Sequence, residues 1–195
     1  MNIAASSPIL CTCPASPPAS TAAEPELVAA ARDVLTQALH LFEPLSPSRF
    51  SLVAPAPFRA SIGQHYRHVL EHFQCLLRGL PLGEVNYDAR QRDPRIESQP
   101  AFAASATRDV LSSLSSWTPR TLDQPCLTVS SVAYQSAAPS RLDSNIAREL
   151  AYCIGHGIHH YAIVRLICAQ LGVPVADEFG YAPSTLKHLS SLSTE

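Results

Sequence analysis

The sequence predicts an all-α protein, a four-helix bundle with long connections, and three observations carry that expectation. Apolar residues recur at helical spacing in four long stretches, and the breaks between them fall at Pro and Gly. The 195 residues include 46% hydrophobic but only 15% charged side chains, so the ordered part should pack rather than extend. A chain of this length suits one domain with a substantial core. A short extended segment near 127–134 is expected among the helices.

Residues 1–24 are rich in Ala, Ser and Pro. Such a stretch buries too little to offset the entropy of ordering, so a flexible tail is expected there and a single helical domain over 25–195. The tail lacks the basic start and long apolar core of a secretory signal. Its Cys11 and Cys13 form a CxC pair that offers metal or thiol chemistry.

The first helix is expected to start near Glu24 or Pro25, because Pro is accepted in a first turn and acidic residues favour that end. Leu27, Val28, Ala31, Val34, Leu35, Ala38, Leu41 and Phe42 give it one apolar face, and Pro44 ends the pattern. The second helix opens on a capping box, Ser61 followed three residues later by Gln64. It carries His65, His68 and His72 on one face and closes at Gly79, Pro81 and Gly83. The following segment, EVNYDARQRDPRIESQP, reads as a polar connection, and Asp93-Pro94 as the start of a third helix that runs to about Trp117.

No helical period persists between Thr118 and Asp143. Within it LTVSSVAY, residues 127–134, holds the β-branched residues that suggest the extended piece. Ser144 is the expected cap of a fourth, long helix, with Gly172 and Pro174 as its stop. The C-terminal segment reads as an aromatic loop, FGYAPST, followed by one or two helical turns.

A formal net charge of −2 and the lack of a basic patch with interleaved aromatics give no basis for a nucleic-acid partner. No apolar run reaches the roughly 18 residues that cross a bilayer, so no membrane partner is expected either. Cys75, Cys153 and Cys168 sit in helical apolar segments and Cys126 in a connection, which reads as reduced core thiols in a cytoplasmic protein. Without a phosphate loop or dinucleotide fingerprint, a nucleotide cofactor is not expected.

The chemistry concentrates in the histidines. Six of the eight fall in the two short clusters 65–72 and 156–160. His156 and His160, one turn apart, share a face of the fourth helix, and with Glu149 and Cys153 they span roughly 60° of the helical wheel. Such a polar stripe needs hydrogen-bond partners, water or a cation in a bundle interior. Spacing removes three metal readings. Gly157 stands where a zinc protease needs Glu, neither Glu71 nor Glu149 has a histidine three residues on for a di-iron site, and two histidines on one face cannot grip opposite sides of a haem. A mononuclear site of three neutral imidazoles remains, with zinc first and nickel or iron as alternatives, the third ligand coming from His65, His68 or His72.

The segments SIGQHYRHVLEHF at 61–73 and ELAYCIGHGIHHYAIV at 149–164 together resemble the DinB-like (DinB/YfiT) superfamily of four-helix metalloproteins. The likeness extends over about residues 26–190. It implies one ligand from the second helix and an H-x-x-x-H pair from the fourth, here His68, His156 and His160. His68 is taken because His-x-x-His also resembles the metal-binding domain of ergothioneine-type sulfoxide synthases, where the second histidine is the ligand.

That resemblance implies a small-molecule substrate, with a low-molecular-weight thiol as the leading class; a homodimer is the expected assembly. The leading functional expectation is a metal-dependent thiol transferase or hydrolase whose ion activates water or a thiol. Glu149 and Asp88 are its candidate bases or orienting groups, and Tyr87 and Tyr181 its candidate donors to a developing anion. The competing expectation is a non-catalytic, stress-associated metal-binding bundle, with Cys153 closing the fourth coordination position. A metal-free dimerisation module is the third.

Overall fold

The structure is a computed structural model describing residues 23–135 and 138–192. Cys11, Cys13 and the Ala/Ser/Pro-rich stretch through residue 22 lie outside the described residues. The chain is mostly helical with a small three-stranded sheet, which corrects the all-α expectation.

Four long helices carry the core: α1 (Glu26–Phe42), α3 (Ile62–Gly79), α5 (Pro100–Leu114) and α7 (Ile146–Leu171). α1 and α3 each pack against both α5 and α7. The apolar face expected for α1 is buried through Val28, Ala31, Val34, Leu35, Ala38, Leu41 and Phe42. A short helix, α2 (Pro47–Phe50), then delivers Phe50 to the core. Phe42 meets Phe50 and Tyr66 edge-on, with ring centroids 5.1 and 4.5 Å apart, a favourable arrangement for the aromatic quadrupoles.

The capping box of α3 forms as the sequence predicts. Gln64 N donates to Ser61 Oγ at 3.0 Å, and Ser61 N donates to Gln64 Oε1 at 2.9 Å. Two of the orphan donors at this end are thereby satisfied. After a 3-10 turn over Leu80–Leu82, the segment read as a polar connection contributes β1 (Glu84–Asn86).

The expected third helix is two helices. Pro100 lacks an amide hydrogen and restricts the residue before it, and Gln99 is extended (φ −125°, ψ 98°) between α4 (Pro94–Ser98) and α5. A single turn, α6 (Pro119–Leu122), comes next, in the stretch that showed no helical period. β2 (Pro125–Ser130) realises the extended piece but stops short of Tyr134. It pairs in parallel with β1, Glu84 opposite Leu127, and antiparallel with β3 (Ser140–Asn145), Pro125 opposite Asn145.

β3 runs directly into α7, whose cap is Asn145 rather than Ser144. The Asn145 side chain accepts from Arg148 N at 2.8 Å, while the Ser144 hydroxyl is spent on Glu149. Gly172 caps the other end in a left-handed conformation, as expected. α8 (Pro183–Leu192) is longer than the one or two turns predicted.

Two joints bring the histidine-bearing helices into place. The sheet links the end of α3 to the start of α7, so the residues after β1 lie beside both helices. Along those helices, Gly157 faces Val34 of α1 and Val69 of α3; a Cβ there would stand 3.2 and 3.4 Å from their methyl groups. Hydrogen at that position lets α7 approach closely, next to His156.

Candidate metal centre

α3 contributes His65, His68 and His72, and α7 contributes His156 and His160. Their one-turn spacing aligns each set along the helix face that meets the other helix. One ligand atom from each of His68, His156 and His160 lies within 4.8 Å of the others, so the structure brings the three expected ligands together. His68 Nε2 and His156 Nε2 are 2.9 Å apart. Two nitrogens each about 2.0–2.1 Å from a tetrahedral ion stand roughly 3.3 Å apart, so the His68–His156 pair is spaced close to what a small divalent cation needs, with His160 within reach of the same ion.

The electrostatics suit that use. Burial, and after it the neighbouring imidazoles and Arg90, push His68 down to about 2. Burial followed by His72, His159 and Arg90 takes His156 to about 4, and burial followed by the surrounding histidines takes His160 to about 3. All three rings are neutral near pH 7 and keep a lone pair for a cation.

The other histidines of the α3 cluster occupy flanking places. His65 Nδ1 lies 3.0 Å from His160 Nδ1, so it supports the outer ligand. The Nδ1 of His72 donates to His68 O at 2.7 Å, which fixes its ring, and the ring centroid stands 4.3 Å from that of His156. His159 is exposed on the side of α7 away from the stripe, edge-on to His160.

Glu149 is buried, but its carboxylate meets hydroxyls rather than imidazoles. Tyr87 OH donates to Oε2 at 2.9 Å and Ser144 Oγ to Oε1 at 2.5 Å. Tyr87 in turn stacks on His72 at 5.3 Å, so Glu149 reaches the histidines through that ring. Burial pushes the Tyr87 hydroxyl up, and the adjacent Cys153 and Glu149 add to the shift. Cys153 lies fully buried with Sγ 3.6 Å from Tyr87 OH. Burial raises its thiol to about 12, so it points to Tyr87 as a neutral group and does not join the three donors.

Two sequence candidates lie elsewhere. Asp88 is exposed, and its carboxylate accepts from Ser131 Oγ at 2.8 Å. The Tyr181 ring lies under the Arg165 guanidinium, 4.6 Å from centroid to carbon. In exchange the structure adds two residues that sequence reasoning missed. Arg90 Nη1 contacts His68 Nδ1, and its Nε donates to Tyr87 O at 3.2 Å. Tyr152 stacks on His156 at 5.5 Å with an interplanar angle of 23° and forms an exposed rim. Neither carries a sequence signal: Arg90 lies in a connection without period, and Tyr152 is an ordinary helix residue until α3 is placed opposite it.

The expected reduced thiols are found as such for four cysteines: Cys75, Cys126, Cys153 and Cys168 are free and buried. Among the described residues, no helix is long and apolar enough to cross a membrane.

Comparison with known proteins agrees with this architecture. The sequence profile described as the DinB superfamily matches residues 26–164. The fold is similar to that of a DinB-like protein, YjoA, from Bacillus subtilis. Its crystal structure aligns with a TM-score of 0.59 at 16% identity, over 78% of this chain and 96% of that one. The chain is also 33% identical over 105 residues to FK506-binding protein 5 of Rhizopus delemar. That match takes in 54% of this chain but only 27% of the length of the relative.

Proposed function

The chain belongs to the DinB superfamily, and from that premise we propose that it is a metal-dependent enzyme with a mononuclear three-histidine site acting on a small molecule. The observation that carries the reading is the convergence of His68, His156 and His160 from two helices, with one donor atom of each within 4.8 Å of the others. Three neutral imidazoles leave a coordination position open, the pattern of catalytic rather than structural zinc. Zinc is the proposed ion, with nickel or iron(II) as the other candidates for an all-imidazole set. A divalent ion held there stabilises the deprotonated form of water or of a thiol.

The protein's own groups supply position. His65 steadies His160 through the ring contact at 3.0 Å, and the His72 ring backs His156 at 4.3 Å. Ser144 holds the Glu149 carboxylate, which fixes the Tyr87 hydroxyl, and Tyr87 holds the His72 ring by stacking. Glu149 and Tyr87 therefore act as positioning residues in this reading, Glu149 in the orienting rather than the base role considered for it. Such outer partners commonly change metal affinity or activity by about 10–100-fold when removed. The rim beside Tyr152 and the open groove along Ala60, Gln64, His65, His68 and His160 give a small substrate two approaches to the imidazoles.

The α1, α3, α5 and α7 packing supports the finer reading of the fold as a four-helix bundle, with ligands drawn from facing helices. A transferase using a low-molecular-weight thiol and a hydrolase both remain within the proposal, since each needs an activated nucleophile at the open position.

The test is metal content per chain, measured on protein purified without a histidine tag. About one equivalent is expected for the wild type and a large loss in His68→Ala and His160→Ala. Stoichiometric metal that survives both substitutions overturns the ligand set.

A further inference from the structure

Arg90 stands in an unusual place for a guanidinium. It is half-buried midway along the connection between β1 and α4, and it pairs with no carboxylate among the described residues. Its two polar contacts are the carbonyl of Tyr87 and the Nδ1 atom of His68. Guanidinium can only donate, so in this arrangement His68 Nδ1 is the acceptor. His68 then carries its proton on Nε2, the atom that faces His156.

That arrangement cannot coexist with a neutral His68 that gives its Nε2 lone pair to a cation. The ring proton would move to Nδ1, and two donors would confront one another. Ligand histidines ordinarily direct this second nitrogen to a carboxylate, carbonyl or water. Loading the site therefore displaces Arg90 from His68 and leaves the Nη1 end of the guanidinium without an acceptor at the edge of the cluster, while Nε keeps its bond to Tyr87 O. The charge balance points the same way. The three ligand rings are neutral, and the carboxylate of Glu149 is buried and already engaged by two hydroxyls. A divalent ion beside an uncompensated guanidinium leaves a strongly positive region next to the exposed Tyr152 rim, and such a region is completed by an anion.

We propose that Arg90 is the substrate-recognition residue of this site, and that the molecule it receives carries a carboxylate beside the group that meets the ion. The inference rests on the three-histidine reading. A carboxylate suits the planar fork of Arg, which offers two parallel donors. Its bond to Tyr87 O keeps the side chain near the mouth once His68 is released.

The test uses the full chain loaded with cobalt(II), whose visible absorption changes when a thiolate enters an open position. Two probes are titrated, 3-mercaptopropionate and the uncharged 2-mercaptoethanol. Wild type is expected to bind the carboxylate-bearing thiol about tenfold more tightly, the scale of one charge-assisted hydrogen bond. Arg90→Gln is expected to hold cobalt stoichiometrically and to lose the preference, and Arg90→Lys to keep part of it. A preference of unchanged size in Arg90→Gln, or none in wild type that does hold cobalt, overturns the proposal and leaves the three-histidine reading standing. Wild-type protein that holds no cobalt overturns both. Loss of cobalt in both Arg90 variants would make Arg90 a structural prop and overturn its recognition role.

Discussion

His68 and His156 are 88 positions apart in the chain, yet their Nε2 atoms stand 2.9 Å from one another. The contact depends on how closely α7 approaches α3, and the residue next to His156 sets that approach. A Cβ at Gly157 would already lie 3.2 Å from Val34 Cγ1 and 3.4 Å from Val69 Cγ1. Gly157→Val adds two methyl groups beyond that point and must push the helices apart. The expected cost is about 1–3 kcal/mol of stability from overpacking. Metal affinity should fall as well, because the α3 ligand recedes from the α7 pair. Urea unfolding and chelator competition measure the two effects; unchanged affinity in a folded variant would show that the helices have slack.

Gly155, two residues earlier on the same helix, provides the contrast. A Cβ there meets nothing within 4 Å. Gly155→Ala should raise stability by about 0.5–1 kcal/mol through helix propensity alone, with metal binding untouched. A destabilised Gly155→Ala in urea melts would mean that this face of α7 is covered in solution.

Much of this arrangement was legible in the sequence because it is periodic. His65, His68, His72, His156 and His160 announce their shared face by spacings of three and four, and Ser61 with Gln64 announces the start of α3. The helix break at Pro100 was missed although Pro was visible, because the Ser- and Ala-rich stretch around it has weak apolar period and reads equally well as one helix. β1 has only three residues, and their pairing with β2 is fixed by partners 43 positions away, Glu84 with Leu127. The surroundings of Asp88 and Glu149 were hidden for a related reason. Sequence places a carboxylate near a histidine along the chain, but its hydroxyl partners, Ser131 for Asp88 and Tyr87 and Ser144 for Glu149, come from the folded contacts. Cys153 sits on the stripe as expected, yet the stripe is longer than the site, and its lower end packs on Tyr87.

The bond between Tyr87 and Glu149 should be measurable as a coupling. Both groups are buried, and the acceptor is a carboxylate. Tyr87→Phe and Glu149→Gln, singly and together, form a double-mutant cycle. A coupling of about 1.5–3 kcal/mol is expected, the range for a hydrogen bond to a charged group. The Tyr87→Phe variant keeps the ring that stacks on His72, so metal stoichiometry should survive in it. Additive effects on urea stability would mean that the hydroxyl gains as much from the neighbouring Cys153 as from Glu149.

The imidazoles also give the metal-free protein a pH dependence whose sign is set by their environment. Burial above all, with the neighbouring rings, holds His68 at about 2, His160 at about 3 and His156 at about 4 in the folded state. In the unfolded chain a histidine takes its proton at about 6.5. Folded values below the unfolded one mean that both states are neutral above about pH 6.5, and the three rings then carry no penalty. As pH falls below that point the unfolded chain binds protons that the folded protein refuses, and stability drops until the folded rings titrate. The window runs from about pH 6.5 to about pH 4 for His156 and extends further down for the other two. Solvent screening of these half-exposed rings trims the size of the loss and leaves its direction. Carboxylates titrate in the lower part of the same range, so the informative quantity is the difference from a His68→Ala/His156→Ala/His160→Ala variant. Urea midpoints of the metal-free wild type should fall more steeply from about pH 6.5 to about pH 4 than those of the variant. Parallel profiles would mean that the rings accept protons as readily folded as unfolded, so that burial does not hold them neutral below about pH 6.5.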